Sequence, residues 1–175
     1  MLNTALNKAD LIYLLTQQEK LDSSMRDTHG IKKRHWLENM DKEHAIALNV
    51  EKHEFINEAH QTWKYWKKKP MEMSKVLEEA IDVIHFVMLI LNKPSINSEK
   101  TAKQTADWIL TFEPLQDRNA VKDAIYSLSN NLNHPRQVLT FVLQILDYYG
   151  FDVLDILNAY KKKNAKNFER ILEGY

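Results

Sequence analysis

Only seven glycines and prolines, three Gly and four Pro, interrupt the 175 residues of this chain. Gly30, Pro70, Pro94, Pro114, Pro135, Gly150 and Gly174 cut it into stretches of helical length. Within each stretch apolar residues recur at every third or fourth position, not at the alternation a half-buried strand needs. The pattern predicts helices over about 3–25, 41–68, 72–92, 99–112, 117–132, 135–149 and 152–172. Asp41, Ser74, Asp117 and Asp152 are residue types that cap helix N-termini, and Pro135 suits a first helical turn. Gly150 follows a periodic run as a C-terminal cap would, and Lys67, Lys68 and Lys69 close another where cations favour the helix dipole. Residues 26–40 read as a connecting loop with only short structure. The expectation is an all-α bundle of six to seven helices forming one domain over 1–175.

Composition removes several function classes. The absence of Cys excludes disulfide scaffolds, thiolate zinc sites and Cys nucleophiles, and suits a reducing, cytoplasmic compartment. With 24 Lys+Arg against 24 Asp+Glu, the chain lacks the basic field by which proteins hold nucleic acid nonspecifically. The longest apolar run, Val83 to Leu91, is interrupted by His85 and is too short to cross a bilayer. The N-terminus has no basic segment and carries Asp10 within its apolar stretch, so a secretory signal is not expected.

The informative anomaly is where the acids fall. In the helix predicted over 41–68, Glu51, Glu54 and Glu58 project onto the half that also carries Ala47, Leu48, Phe55, Ala59 and Trp66. Asn49, His53, Asn57, His60, Gln61, Lys64 and Lys67 take the other half. Carboxylates beside an apolar stripe are costly unless paired, protonated or bound to a cation. The next predicted helix repeats the pattern, with Glu79 and Asp82 at the edge of an arc through Val76, Ala80, Val83, Ile84 and Val87. Two antiparallel helices joined near Pro70 would face Glu51 and Glu54 toward Glu79 and Asp82, with Glu58 adjacent. All-oxygen sets of this kind suit hard cations, above all Mg²⁺ holding a phosphate. A single Glu-x-x-Glu is usually only surface, and what singles these out is the recurrence on consecutive helices. A di-iron bundle would need Glu-x-x-His from two helices. Here only Asp82-x-x-His85 occurs, so His85 reads as a pocket-lining or core residue.

Glu51-x-x-Glu54 followed, after residues 55–78, by Glu79-x-x-Asp82 resembles the magnesium motif of the all-α nucleoside triphosphate pyrophosphatases, the MazG-like superfamily. The segments EKHEFINEAHQTWKYW, EEAIDVIHF, LTQQEKLD and YKKKNAKNFERILEGY are together similar to the motifs of the dimeric all-α dUTP pyrophosphatases. That resemblance implies hydrolysis of dUTP to dUMP and pyrophosphate in a homodimer with two or more Mg²⁺ ions per site. It implies that Glu51, Glu54, Glu79 and Asp82 ligate metal and that Glu51 also orients or deprotonates the attacking water. It assigns Lys163, Asn167, Arg170 and Tyr175 to phosphate and substrate binding, and Gln18, with Asp22 beside it, to the uracil edge. Phe86 and Trp63 or Trp66 would form the apolar slot for base and sugar. Two other functions fit the residues: a pyrophosphatase for another nucleotide such as dCTP, and a non-catalytic helical nucleotide-binding or regulatory protein.

Overall fold

A computed structural model describes residues 1–93, 97–130 and 134–174. Pro94 and Tyr175, both singled out above, lie outside the described residues, as does the end of the helix expected over 117–132. Among the described residues there are eight α-helices: α1 (Lys8–Thr28), α2 (Lys33–Asn39), α3 (Asp41–Glu58), α4 (Met73–Asn92), α5 (Ser98–Ile109), α6 (Arg118–Ser129), α7 (Pro135–Tyr148) and α8 (Val153–Leu172). The all-helical reading holds, and the additional helix is α2, inside the segment expected to be mostly loop.

The centre of the molecule is α4. Val76, Ala80, Ile81, Val83, Ile84, Val87 and Met88 are all fully buried, because α1, α3, α7 and α8 pack around them. A helix apolar on most of its circumference has to be interior. Each fully buried aliphatic side chain contributes roughly 1.5–3 kcal/mol relative to exposure.

The start of α1 and two of the expected caps differ from the sequence pattern. α1 starts at Lys8, because Asn7 accepts from the Ala9 and Asp10 amides while Asp10 returns a bond to the Asn7 amide, a capping box. The residues before it bury Leu2 and Leu6 and tie Thr4 Oγ1 to the Leu143 carbonyl at 2.8 Å instead of extending the helix. Asp41 opens α3 without capping it, since its carboxylate is taken by Lys93. Ser74 lies inside the first turn of α4, whose N-cap is Glu72. Asp117 and Asp152 do cap α6 and α8.

The largest correction concerns the helix expected over 41–68, which ends at Glu58. Ala59 turns to ψ +40°, a single 3₁₀ turn covers His60–Thr62, and the Trp63 indole N–H donates back to the Ile56 carbonyl at 3.0 Å. That bond satisfies one of the carbonyls a helix end leaves unpaired. The helical projection of Trp66 therefore does not apply. Trp66 is 59% exposed and meets Trp63 edge-on at 5.8 Å.

Candidate active site

α3 and α4 pack against one another along their length, and their facing turns bring the acids together. Glu51 from α3 and Glu79 and Asp82 from α4 each offer a carboxylate oxygen within 4.8 Å of the others. Glu54, one turn along α3, lines the same cleft but is exposed and is not part of that close set.

Crowding and burial act on these groups in the same direction. Glu51 is pushed up to about 7, by burial first and then by the charges of Asp82, Glu54 and Glu79. Burial also raises Glu79, with Asp82 and Glu54 adding to it. Asp82 is raised by burial, although its bond to Lys163 opposes the shift. The Lys163 ammonium, on α8, lies 2.6 Å from Asp82 Oδ2 and 3.1 Å from Glu78 Oε1. Burial disfavours that ammonium, yet its two carboxylate partners outweigh burial and hold its pKa above the usual lysine value.

The acids line a cleft of about 680 Å³. Lys163, Asn167 and Arg170 border it from a single face of α8, one turn apart. The rest of the lining is largely apolar, with Met25, Ile31, Trp36, Met40, Phe86 and Leu89, and with Asp22, Glu43 and His44 among them. The cleft therefore joins the cluster of acids and cations to a largely apolar wall, with a volume within the usual range for small-ligand pockets.

A buried polar network sits behind the apolar wall. Gln18 donates through Nε2 to Asp22 Oδ1 at 2.8 Å, and its Oε1 accepts from Tyr160 Oη at 3.0 Å. The same oxygen lies 2.7 Å from His85 Nδ1, and the imidazole stacks on Tyr160 with centroids 4.1 Å apart. Burial drives Asp22 up to about 7, with Glu19 adding and Gln18 and Arg26 opposing. Across the cleft the Trp36 indole is held by Arg26, 5.5 Å from its centroid, and by His44 at 4.5 Å. Lys93 Nζ approaches His44 Nδ1 at 3.2 Å.

Gln18, Asp22, Glu51, Glu54, Glu79, Asp82, Phe86, Lys163, Asn167 and Arg170, proposed from sequence, thus border one cleft. Trp63 and Trp66 do not line it. Four participants carried no sequence signal of their own, Trp36, His44, Glu78 and Lys93, while Tyr160 entered only as the first residue of the C-terminal motif. His44 could have been found by extending the acid stripe backward, because 44, 47, 51 and 54 share one helical face. Trp36 could not, since its helix was not expected.

An all-helical scaffold that converges carboxylates from two packed helices, beside a cationic strip and an apolar recess, has the chemistry of a helical nucleotide hydrolase. The chain belongs to the dUTPase family: a family model for dUTPase matches residues 10–175. The family activity is that of a dUTP diphosphatase. A comparison with curated proteins returned no match. No helix among the described residues is long and apolar enough to cross a membrane.

Proposed function

We propose that this protein hydrolyses dUTP to dUMP and pyrophosphate in a Mg²⁺-dependent reaction centred on Glu51, Glu79 and Asp82. The observation that carries the reading is the close set of three carboxylates in a cleft whose wall is otherwise largely apolar. The donor set fits the ion: it is all oxygen, and burial together with the neighbouring carboxylates pushes Glu51 up to about 7, so the set gains from a divalent cation. Glu54, beside the set, supplies a further carboxylate, enough for two or more ions per site. When bound, Mg²⁺ neutralises the triphosphate and acidifies a water molecule.

The chain's own residues supply positioning. Glu79 and Asp82 are fixed by the most buried helix of the fold, so the acids cannot drift with loop motion. Glu51 takes the proton of the water whose oxygen bonds to the α-phosphorus, as the bond from that phosphorus to the bridging oxygen breaks and pyrophosphate leaves. Lys163, Asn167 and Arg170 hold the phosphates from the opposite wall, and catalysis is mainly positioning and charge stabilisation. Trp36 and Phe86 flank the apolar recess for base and sugar. The MazG-like superfamily, a homodimeric assembly and a cytoplasmic location accord with this reading.

A panel of deoxynucleoside triphosphates assayed for pyrophosphate release with and without EDTA tests it. The expected result is metal-dependent release with dUTP strongly preferred. Equal turnover of dUTP and dCTP would remove the specificity, and no release from any nucleotide would leave a binding or regulatory role.

A further inference from the structure

Glu78 stands apart from the acids of the cleft. It lies one turn before Asp82 on α4, so the two carboxylates share a face of that helix. It is neither part of the close set of three nor part of the cleft lining. It borders instead a separate groove between α4 and α8, together with Lys162 and Lys166, and Lys163 is common to groove and cleft. One ammonium, 2.6 Å from Asp82 Oδ2 and 3.1 Å from Glu78 Oε1, therefore bridges an acid of the cleft and an acid outside it. Glu78 keeps its charge, because its bond to Lys163, with Lys166 and Lys162 adding, holds its carboxyl below the usual range.

The two acids hold the ammonium unequally. Asp82 is 17% exposed and Glu78 47%, so solvent makes the Glu78 pair the weaker of the two. In the ion-free protein the charge therefore rests mainly on Asp82. An ammonium and a divalent cation on one part-buried carboxylate repel each other, so an ion loads the set as Lys163 gives up Asp82. Without a second acid the ammonium, on a side chain only 12% exposed, would be left uncompensated, which is costly. Glu78 is already in contact and lets it keep a charge-assisted hydrogen bond. Resting on the Mg²⁺-dependent reaction proposed above, we infer that Glu78 is a positioning residue that takes the Lys163 ammonium over from Asp82 as a divalent ion binds, and keeps it at the border of the cleft where a phosphate can meet it. Glu78 acts through Lys163 and ligates no ion itself.

Glu78→Gln keeps the size and an oxygen acceptor and removes the charge. Calorimetric titration of Mg²⁺ into the nucleotide-free protein is expected to show an affinity about fivefold lower in this variant. Direct attraction between Glu78 and the ion would give a loss of the same sign, so the deciding comparison is made in Lys163→Met. With the ammonium gone, Glu78→Gln is expected to change the Mg²⁺ affinity by less than about twofold, and the two substitutions are then non-additive. Turnover gives a second reading: the Mg²⁺ concentration for half-maximal pyrophosphate release from dUTP rises by about the same fivefold in Glu78→Gln, and saturating Mg²⁺ recovers most of the rate. A residue that only supported the fold would lower the limiting rate and leave the Mg²⁺ requirement alone. An unchanged Mg²⁺ affinity in Glu78→Gln overturns the inference, as does a loss of equal size with and without Lys163. Either result, obtained with a parent protein that binds Mg²⁺, leaves the proposed reaction standing. A parent protein that binds no Mg²⁺ removes that reaction and the inference with it.

Discussion

Lys163 Nζ and Asp82 Oδ2 are 2.6 Å apart, with 12% and 17% of their side chains exposed. The ammonium thereby sits on an acid that belongs to the set of three carboxylates, and a second acid, Glu78, holds it from the other side. A cation at Asp82 competes electrostatically with any divalent ion placed there. Lys163→Met is therefore expected to tighten Mg²⁺ binding about tenfold while lowering kcat/KM for dUTP about 100-fold, because the phosphate contact is lost. Calorimetric titration of nucleotide-free protein reads the first effect and pyrophosphate release the second.

Glu51→Gln removes a carboxylate that the fold disfavours. Glu51 holds its proton more tightly folded than unfolded, so its contribution to stability is complete below about pH 4.5 and is lost as the pH rises to about 7. In EDTA the variant is expected to gain on the parent across that window and to stay ahead by about 1–2 kcal/mol at pH 8, a figure reduced for partial solvent screening. Denaturant melts of both proteins at several pH values measure the gap. Turnover is expected to fall by roughly 10³-fold.

Glu79→Gln and Asp82→Asn test the ion directly. Mg²⁺ is expected to raise the Tm of the parent protein and to leave each variant nearly unmoved, because a ligand that binds only the folded state stabilises it in proportion to its occupancy. Thermal melts with and without Mg²⁺ show this without any assay of activity.

Trp36→Ala is expected to raise KM for dUTP about tenfold or more and to cost about 2–3 kcal/mol, since Trp36 is the only side chain α2 buries and it lines the apolar recess. Trp36→Phe keeps an aromatic face and is expected to recover most of the KM. Titration with dUMP and a chemical melt separate the two effects.

Tyr160→Phe deletes the hydroxyl that shares Gln18 Oε1 with His85. The expected cost is about 1 kcal/mol, because the Gln18 oxygen keeps its second donor and the ring keeps its stacking. Urea midpoints of the two proteins check it.

Helical periodicity made the bundle legible, since punctuation is scarce and α1, α5, α6 and α8 have their own side-chain caps. What stayed hidden was decided by contacts between distant residues. Asp41 has the chemistry of a cap, yet Lys93, from the far end of α4, draws its carboxylate away. The continuation of α3 past Glu58 looked sound locally, but the Trp63 indole bonding to Ile56 ends it, so a helical projection could not place Trp63 or Trp66. The acid pairs were legible because one face of a helix is a local property. Their counter-charge was half legible: Lys163 was expected on phosphate, whereas Glu78 and its pairing with Lys163 depend on how α8 docks against α4.

Because α4 is both the axis of the core and the bearer of Glu79 and Asp82, the scaffold and the chemistry cannot be varied separately. A methylene lost from Ile84 or Val87 would let this axis settle by a fraction of an ångström, and the carboxylates would move with it. In laboratory evolution of this chain, tolerance at the interior of α4 should therefore be limited first by ion affinity and only afterwards by folding.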